Sequence, residues 1–197
     1  MRLSIKILFA SIMLLLLSPV LASAQELKTF ESTSYSIVPP SEWFVVSGDI
    51  AEKDRMKLPP AVREHYNPRA LDAMFMDVKD LAGEKQDFKD NLNIVVVNEA
   101  VPVTEAVKKE MVTVLQQQFE SMFEDFTMLS SDIVSVGKYP AFLISAKYSL
   151  LNYQIKMVQW LVPSKTESLV LTCTFDQSRE EATLRLCNEA VNSLVLK

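Results

Sequence analysis

Glycine, histidine and cysteine are all scarce in this chain of 197 residues: three Gly, one His and two Cys. Gly48, Gly83 and Gly137 stand alone, so there is no Gly-rich loop to cradle a phosphate. One His and two Cys fall short of the roughly four N/S ligands of a conventional structural zinc site. No Gly-x-Ser-x-Gly elbow exists to activate a serine. His65 is the only imidazole, so any His-dependent general base or nucleophile pair has to use it. Against these absences stand 49% hydrophobic residues and mixed charge, 20 Lys+Arg against 25 Asp+Glu. That composition excludes a disordered or low-complexity chain.

The first 24 residues read as a secretory signal peptide. Arg2 and Lys6 make a positive start, Ile7–Leu21 is a 15-residue apolar run, and Ala22-Ser23-Ala24 is an A-x-A cleavage site. Cleavage after Ala24 leaves Gln25 as the mature N-terminus. An uncleaved anchor is the alternative, but the run contains Pro19 and is shorter than the ~20 apolar residues of a spanning helix. No Cys follows the run to carry a lipid. The leader has two Lys/Arg and no Asp/Glu, so the remaining 173 residues carry 18 positive against 25 negative charges, a net −7. An acidic surface argues against nonspecific nucleic-acid binding and suits anionic membrane poorly. A length of 173 residues fits one domain, 25–197, with a real core.

Along the mature chain, Tyr35–Val38, Trp43–Val46, Ala73–Val78 and Asn91–Val97 have the character of strands. Gly48–Arg69 is polar and broken by Pro59, Pro60 and Pro68; it reads as an excursion with a short helix at Ala61–Tyr66. Gly83–Asp90 reads as a charged connection. Val103–Phe126 has apolar residues at spacings of three and four, from Val103 and Val107 through Met111, Leu115 and Phe119 to Phe126, and is predicted as a long core-packing helix. A membrane-surface helix is the alternative, but the polar side is not Lys/Arg-rich. Strands at Phe142–Leu150, Tyr153–Val162 and Ser168–Phe175 follow, joined by Leu151-Asn152 and by Pro163–Thr166. In the last strand both alternating sets are apolar or small, as in a sheet covered on both sides. Ser178-Arg179-Glu180-Glu181 is a capping box for a final helix with an inward stripe of Leu184, Cys187, Val191 and Leu194. Short links predict antiparallel pairing, and the order of elements predicts an α+β domain.

These elements resemble the PsbP-like proteins and the DcrB-like exported bacterial proteins of the same fold. The resemblance rests on YSIVPPSEW (Tyr35–Trp43), NIVVV (Asn93–Val97), GKYPA (Gly137–Ala141) opening the strand that leads to Trp160, LVLTCT (Leu169–Thr174) and NSL (Asn192–Leu194). It spans roughly residues 30–195 and includes no catalytic motif. Glu42 stands where such proteins often carry Gly before the Trp. The resemblance implies an α/β/α sandwich: a central antiparallel sheet flanked by helices on both faces. Members include an extrinsic photosystem II subunit, Ran-binding proteins of the Mog type and bacterial chaperones for apolar effector segments. They act by binding, but fold alone does not fix function.

Several residues bear on a site. Arg55, Arg63, His65, Tyr66 and Arg69 fall in the one locally basic stretch of an acidic protein and make a candidate binding loop; the bland alternative is a solvated connection. Cys173 and Cys187 have 13 residues between them and can close a disulfide in an oxidising compartment, or remain buried thiols. Asp77/Asp80 and Asp87/Asp90 match no EF-hand loop, and Glu120, Glu124 and Asp125, placed along a helix, read as a solvated face. No catalytic residue, metal or cofactor is assigned. The reading is an exported, noncatalytic accessory protein that docks onto a protein or complex of the cell envelope, with no stable membrane anchor after cleavage. The alternatives are a periplasmic chaperone with an apolar groove lined by Met74, Met76 or Met157, and a hydrolase or metal-dependent enzyme using His65.

Overall fold

A computed structural model describes residues 29–41, 43–47, 71–77, 88–150 and 152–197. The described strands and helices run β1 (Phe30–Glu31), β2 (Tyr35–Ile37), β3 (Trp43–Ser47), β4 (Leu71–Asp77), β5 (Asn91–Val97), α1 (Glu105–Met122), β6 (Glu124–Val136), β7 (Tyr139–Leu150), β8 (Tyr153–Pro163), β9 (Ser168–Asp176), α2 (Glu180–Asn192) and β10 (Val195–Leu196). Seven strands form one antiparallel sheet in the order β3-β4-β5-β9-β8-β7-β6. β9 is its middle strand, and the expected hairpins β7–β8 and β8–β9 are present.

Burial follows the position in the sheet. Every residue of β9 from Ser168 to Phe175 is buried. Its alternating side chains divide between two core clusters: Val170 enters one, and Leu169, Leu171, Cys173 and Phe175 enter the other. The first cluster takes Met111, Leu115 and Phe119 of α1. The second takes Cys187, Ala190 and Val191 of α2. The α+β class and the large antiparallel sheet therefore hold. The described residues contain two α-helices, one per cluster, which is fewer than two full helical layers would need.

Four expectations need correction. The helix predicted to Phe126 ends at Met122, and a strand missing from the sequence reading, β6, begins two residues later. Phe123 is already extended, and its N–H closes the helix on the Phe119 carbonyl at 2.9 Å. Asp125 then takes φ 53°, a left-handed conformation that Asp tolerates better than most side chains and that redirects the chain. Phe126 kept the helical spacing because it returns to the same cluster from the strand, 5.3 Å from the Phe119 ring. Glu124 and Asp125 accordingly lie on a strand and not along the helix with Glu120.

The capping box of the final helix does not form. Asp176 Oδ1 accepts from both Ser178 N–H (2.8 Å) and Ser178 Oγ (2.6 Å), a local loop typical of Asp. This begins a 3₁₀ turn at Gln177–Arg179, and α2 starts at Glu180 with no side-chain cap of its own. The strand at Tyr35 also leaves the main sheet. β2 pairs with β1 and with β10, the last strand of the chain, in a separate three-stranded sheet. Neither β1 nor β10 was expected; each is two residues long, too short to show a period.

Candidate functional site

The candidate loop residues Arg55, Arg63, His65, Tyr66 and Arg69 lie outside the described residues, as do Ala24 and Gln25 of the cleavage site and the short helix at Ala61–Tyr66. Asp80 and Asp87 also lie outside them. Cys173 and Cys187 are bonded to each other, tying the middle strand of the sheet to α2. Met74, Met76 and Met157, the expected lining of an apolar groove, are core residues at 0%, 6% and 1% exposure.

Asp90 accepts from four donors of the protein. Its carboxylate accepts from Arg179 Nε at 3.0 Å and Nη2 at 2.6 Å, from Thr183 Oγ1 at 2.5 Å and from Asp176 N–H at 3.2 Å. These bonds fasten the approach to β5 onto the end of β9 and the start of α2. Burial alone would lower the Arg179 pKa, but the hydrogen bonds and charge of Asp90, with Asp176 and Asp77, raise it above its ordinary value. Burial would raise Asp176, yet the bonds from Ser178 and the charge of Arg179 hold it below the ordinary carboxylate value. Tyr35 is raised by burial and by donating its hydroxyl to Asp72 Oδ2 at 2.7 Å. Each of these groups is satisfied within the fold, which marks structure more than chemistry. Tyr148 differs: its ring stacks on Phe123 at 4.2 Å, its hydroxyl has no hydrogen-bond partner among the described residues, and burial raises its pKa.

An open groove of about 820 Å³ runs along the outer side of α2, and the residues that line it, Glu180 to Asn192, all belong to that helix. A surface with one described wall gives no converging set of groups. The edge of the main sheet gives more. β6 is 13 residues long and, among the described residues, pairs on one side only, with β7. Only Val136 of the strand is buried, and Leu129 and Ile133 are 46% and 39% exposed. Its free side presents a row of backbone N–H and C=O groups of the kind to which another strand adds. β6 carries neither Lys nor Pro, two of the residues that blunt such edges. It has two bulges, between Glu124 and Thr127 and between Met128 and Ser130, and from Ser130 to Val136 it pairs regularly. A two-residue turn at Gly137, φ 57°, returns the chain into β7; a side chain is strained at that φ. The edge escaped the sequence reading because EDFTMLSSDIVSV has no sustained alternation of apolar and polar residues.

No protein-family model matches the sequence, and no curated protein matches it. Solved structures do match in fold. The solution structure of the cyanobacterial PsbP protein CyanoP from Synechocystis sp. PCC 6803 superposes with a TM-score of 0.54 at 10% identity, covering 86% of this chain and 91% of that one. The crystal structure of LpqN, involved in cell envelope biogenesis of Mycobacterium tuberculosis, superposes with a TM-score of 0.51 at 10% identity, covering 83% of each chain. The fold of the chain is thus PsbP-like.

Proposed function

We propose that this is an exported, noncatalytic accessory protein that docks onto a protein or complex of the cell envelope. The observation that carries the reading is the β6 edge: a long, largely exposed strand, paired on one side only among the described residues, with Leu129 and Ile133 exposed. Such an edge recognises protein by main-chain pairing and selects by the side chains that alternate along it. The PsbP-like fold, shared with LpqN, which is involved in cell envelope biogenesis, supports an accessory role. The Cys173–Cys187 bond suits an oxidising compartment, as export after Ala24 would provide. No helix among the described residues is long and apolar enough to cross a membrane. On this reading residues 25–197 form a single α/β/α sandwich, with α1 as one outer layer and α2 as the other. The protein takes no cofactor, and its partner is a protein, not a nucleic acid.

The test is photo-crosslinking in intact host cells, with a photoreactive residue placed at Leu129, at Ile133 and, as control, at the exposed Gln117 of α1. The expected result is a discrete adduct to an envelope protein from the β6 positions and none from Gln117. Absence of any such adduct from both β6 positions overturns the reading.

A further inference from the structure

The acidic balance of this protein is not spread evenly along the chain. From Glu110 to Gly137, a stretch that takes in most of α1 and all of β6, there are five Asp/Glu and no Lys, Arg or His. Within β6 the carboxylates are Glu124, Asp125 and Asp132. Asp125 accepts from Ser149 Oγ at 2.9 Å. Asp132 is exposed, and its carboxylate has no ion-pair partner among the described residues. It sits in Ser130–Val136, which pairs with β7 without a break and lies clear of both bulges.

The register fixes its surroundings. Asp132 pairs with Leu143, while Ser130 and Val134 pair with Ser145 and Ala141. Val134, Leu143 and Ala141 belong to the second core cluster, so Asp132 stands on that face of the sheet among uncharged neighbours. The Lys nearest in register flank this stretch: Lys147 is opposite Thr127, and Lys138 follows Gly137 in the turn. Ile133 pairs with Phe142 and stands on the face of the first cluster. β7 therefore supplies apolar neighbours to this part of β6 and leaves its one charge unanswered.

What an open edge admits is decided by the residues that come to lie opposite its own. A strand that set an acid against Asp132 would be destabilised, a neutral residue would gain nothing there, and a Lys or Arg would pair with the carboxylate. An uncompensated charge in the middle of the edge thus discourages indiscriminate pairing and favours one class of partner. A second copy of β6 brings no cation to that position. Ile133 and Val134 add the adjoining requirement, since β-branched side chains pair best with apolar ones across strands. Antiparallel addition continues the pattern of the sheet and is the more stable per residue. The added strand then meets Val134, Ile133 and Asp132 in that order from its own N-terminus.

We infer that Ser130–Val136 takes an extended segment of the envelope partner in antiparallel pairing, and that this segment carries two apolar residues followed by a Lys or Arg, with the cation opposite Asp132. This rests on β6 being the docking edge and names the chemistry of what docks there. The test carries the photo-crosslink from Ile133 in intact host cells through to sequence: the adduct is digested and the linked peptide identified. The linked residue should be apolar, with a Lys or Arg within two residues on its C-terminal side. Asp132→Asn should lower the adduct about threefold and Asp132→Lys about tenfold, as an opposed pair is first lost and then made repulsive. Glu110→Lys makes the same change of charge at an exposed position of α1 and should leave the yield within about twofold. Changing the partner's cation to Glu should restore the adduct to Asp132→Lys. Circular dichroism of the purified variants should match the native chain. An adduct whose linked segment has no Lys or Arg there, or whose yield falls no further with Asp132→Lys than with Glu110→Lys, overturns the inference and leaves docking standing. A link only to a second copy of this chain overturns it as well. No adduct at all overturns the docking reading and this inference together.

Discussion

At the scale of single residues, Asp90 shows how far a side chain's role can lie from its sequence neighbourhood. The carboxylate is 2% exposed, and a buried carboxylate is tolerable only where donors surround it. Its strongest partners, Arg179 and Thr183, are 89 and 93 residues away. The sequence placed Asp90 beside Asp87 as an acidic grouping, since local spacing was the only signal there. Removing Arg179 leaves the carboxylate buried with two donors lost, whereas removing Asp90 leaves an Arg side chain that is 43% exposed and reaches water. Arg179→Met is therefore expected to cost about 3 kcal/mol in urea unfolding, the range for breaking a buried pair from one side. Asp90→Leu in the same chain should recover at least half of that, because no buried charge is then left alone. A cost for Arg179→Met within the roughly 0.5 kcal/mol of an ordinary surface change would show that water already solvates Asp90.

At the scale of elements, legibility tracked burial. β7, β8 and β9 were readable because neighbours on both sides bury them and enforce apolar composition. β6 was not, because an edge strand can be polar on either face without penalty, and its first inward residue, Phe126, prolonged the spacing of α1. The start of α2 was misread for a different reason: Ser178 donates its N–H and hydroxyl to Asp176, so Asp176 and not Ser178 is the side chain that begins the turn. That rearrangement has a pH signature. The folded-state pKa of Asp176 lies below its ordinary value, so its contribution is present above the ordinary carboxylate value and lost as pH falls through the folded one. Asp176→Asn should thus be less stable than the native chain at neutral pH by about 1 kcal/mol, a typical cap. The difference should begin to shrink as pH drops below about 4, where the unfolded chain's carboxylate starts to protonate, and close as pH falls through the lower folded value. Thermal unfolding of both chains across that range is the check. A gap that stays constant to acid pH would mean that the cap does not depend on charge.

At the scale of the whole molecule, the two ends of the described chain meet. β10 follows α2 directly and closes the small sheet on β2, with Leu196 facing Tyr35 in register. The Lys197 N–H bonds the Ser34 carbonyl, and its ammonium reaches Glu31. This closure depends on where α2 sits, and α2 is held on β9 by the packing of Cys187, Ala190 and Val191 and by the Cys173–Cys187 bond. The cysteine pair was legible in the sequence as a spacing; its placement on the middle strand of the sheet was not. That placement decides what reduction should do. Closing a loop of about 15 residues constrains the unfolded chain by roughly 3 kcal/mol, so the Cys173→Ala/Cys187→Ala chain should lose about that much in urea unfolding. The loss should also be uneven. β7 and β8 pair with long neighbours on both sides, while β2 and β10 meet over two residue pairs. Amide exchange in the variant should therefore accelerate first at β10, its β2 partners and the end of α2, as sub-global opening, while β7 and β8 exchange only with global unfolding. Equal acceleration everywhere would mean that the bond stabilises only through the unfolded chain, and that the small sheet needs no anchor beyond its own pairing.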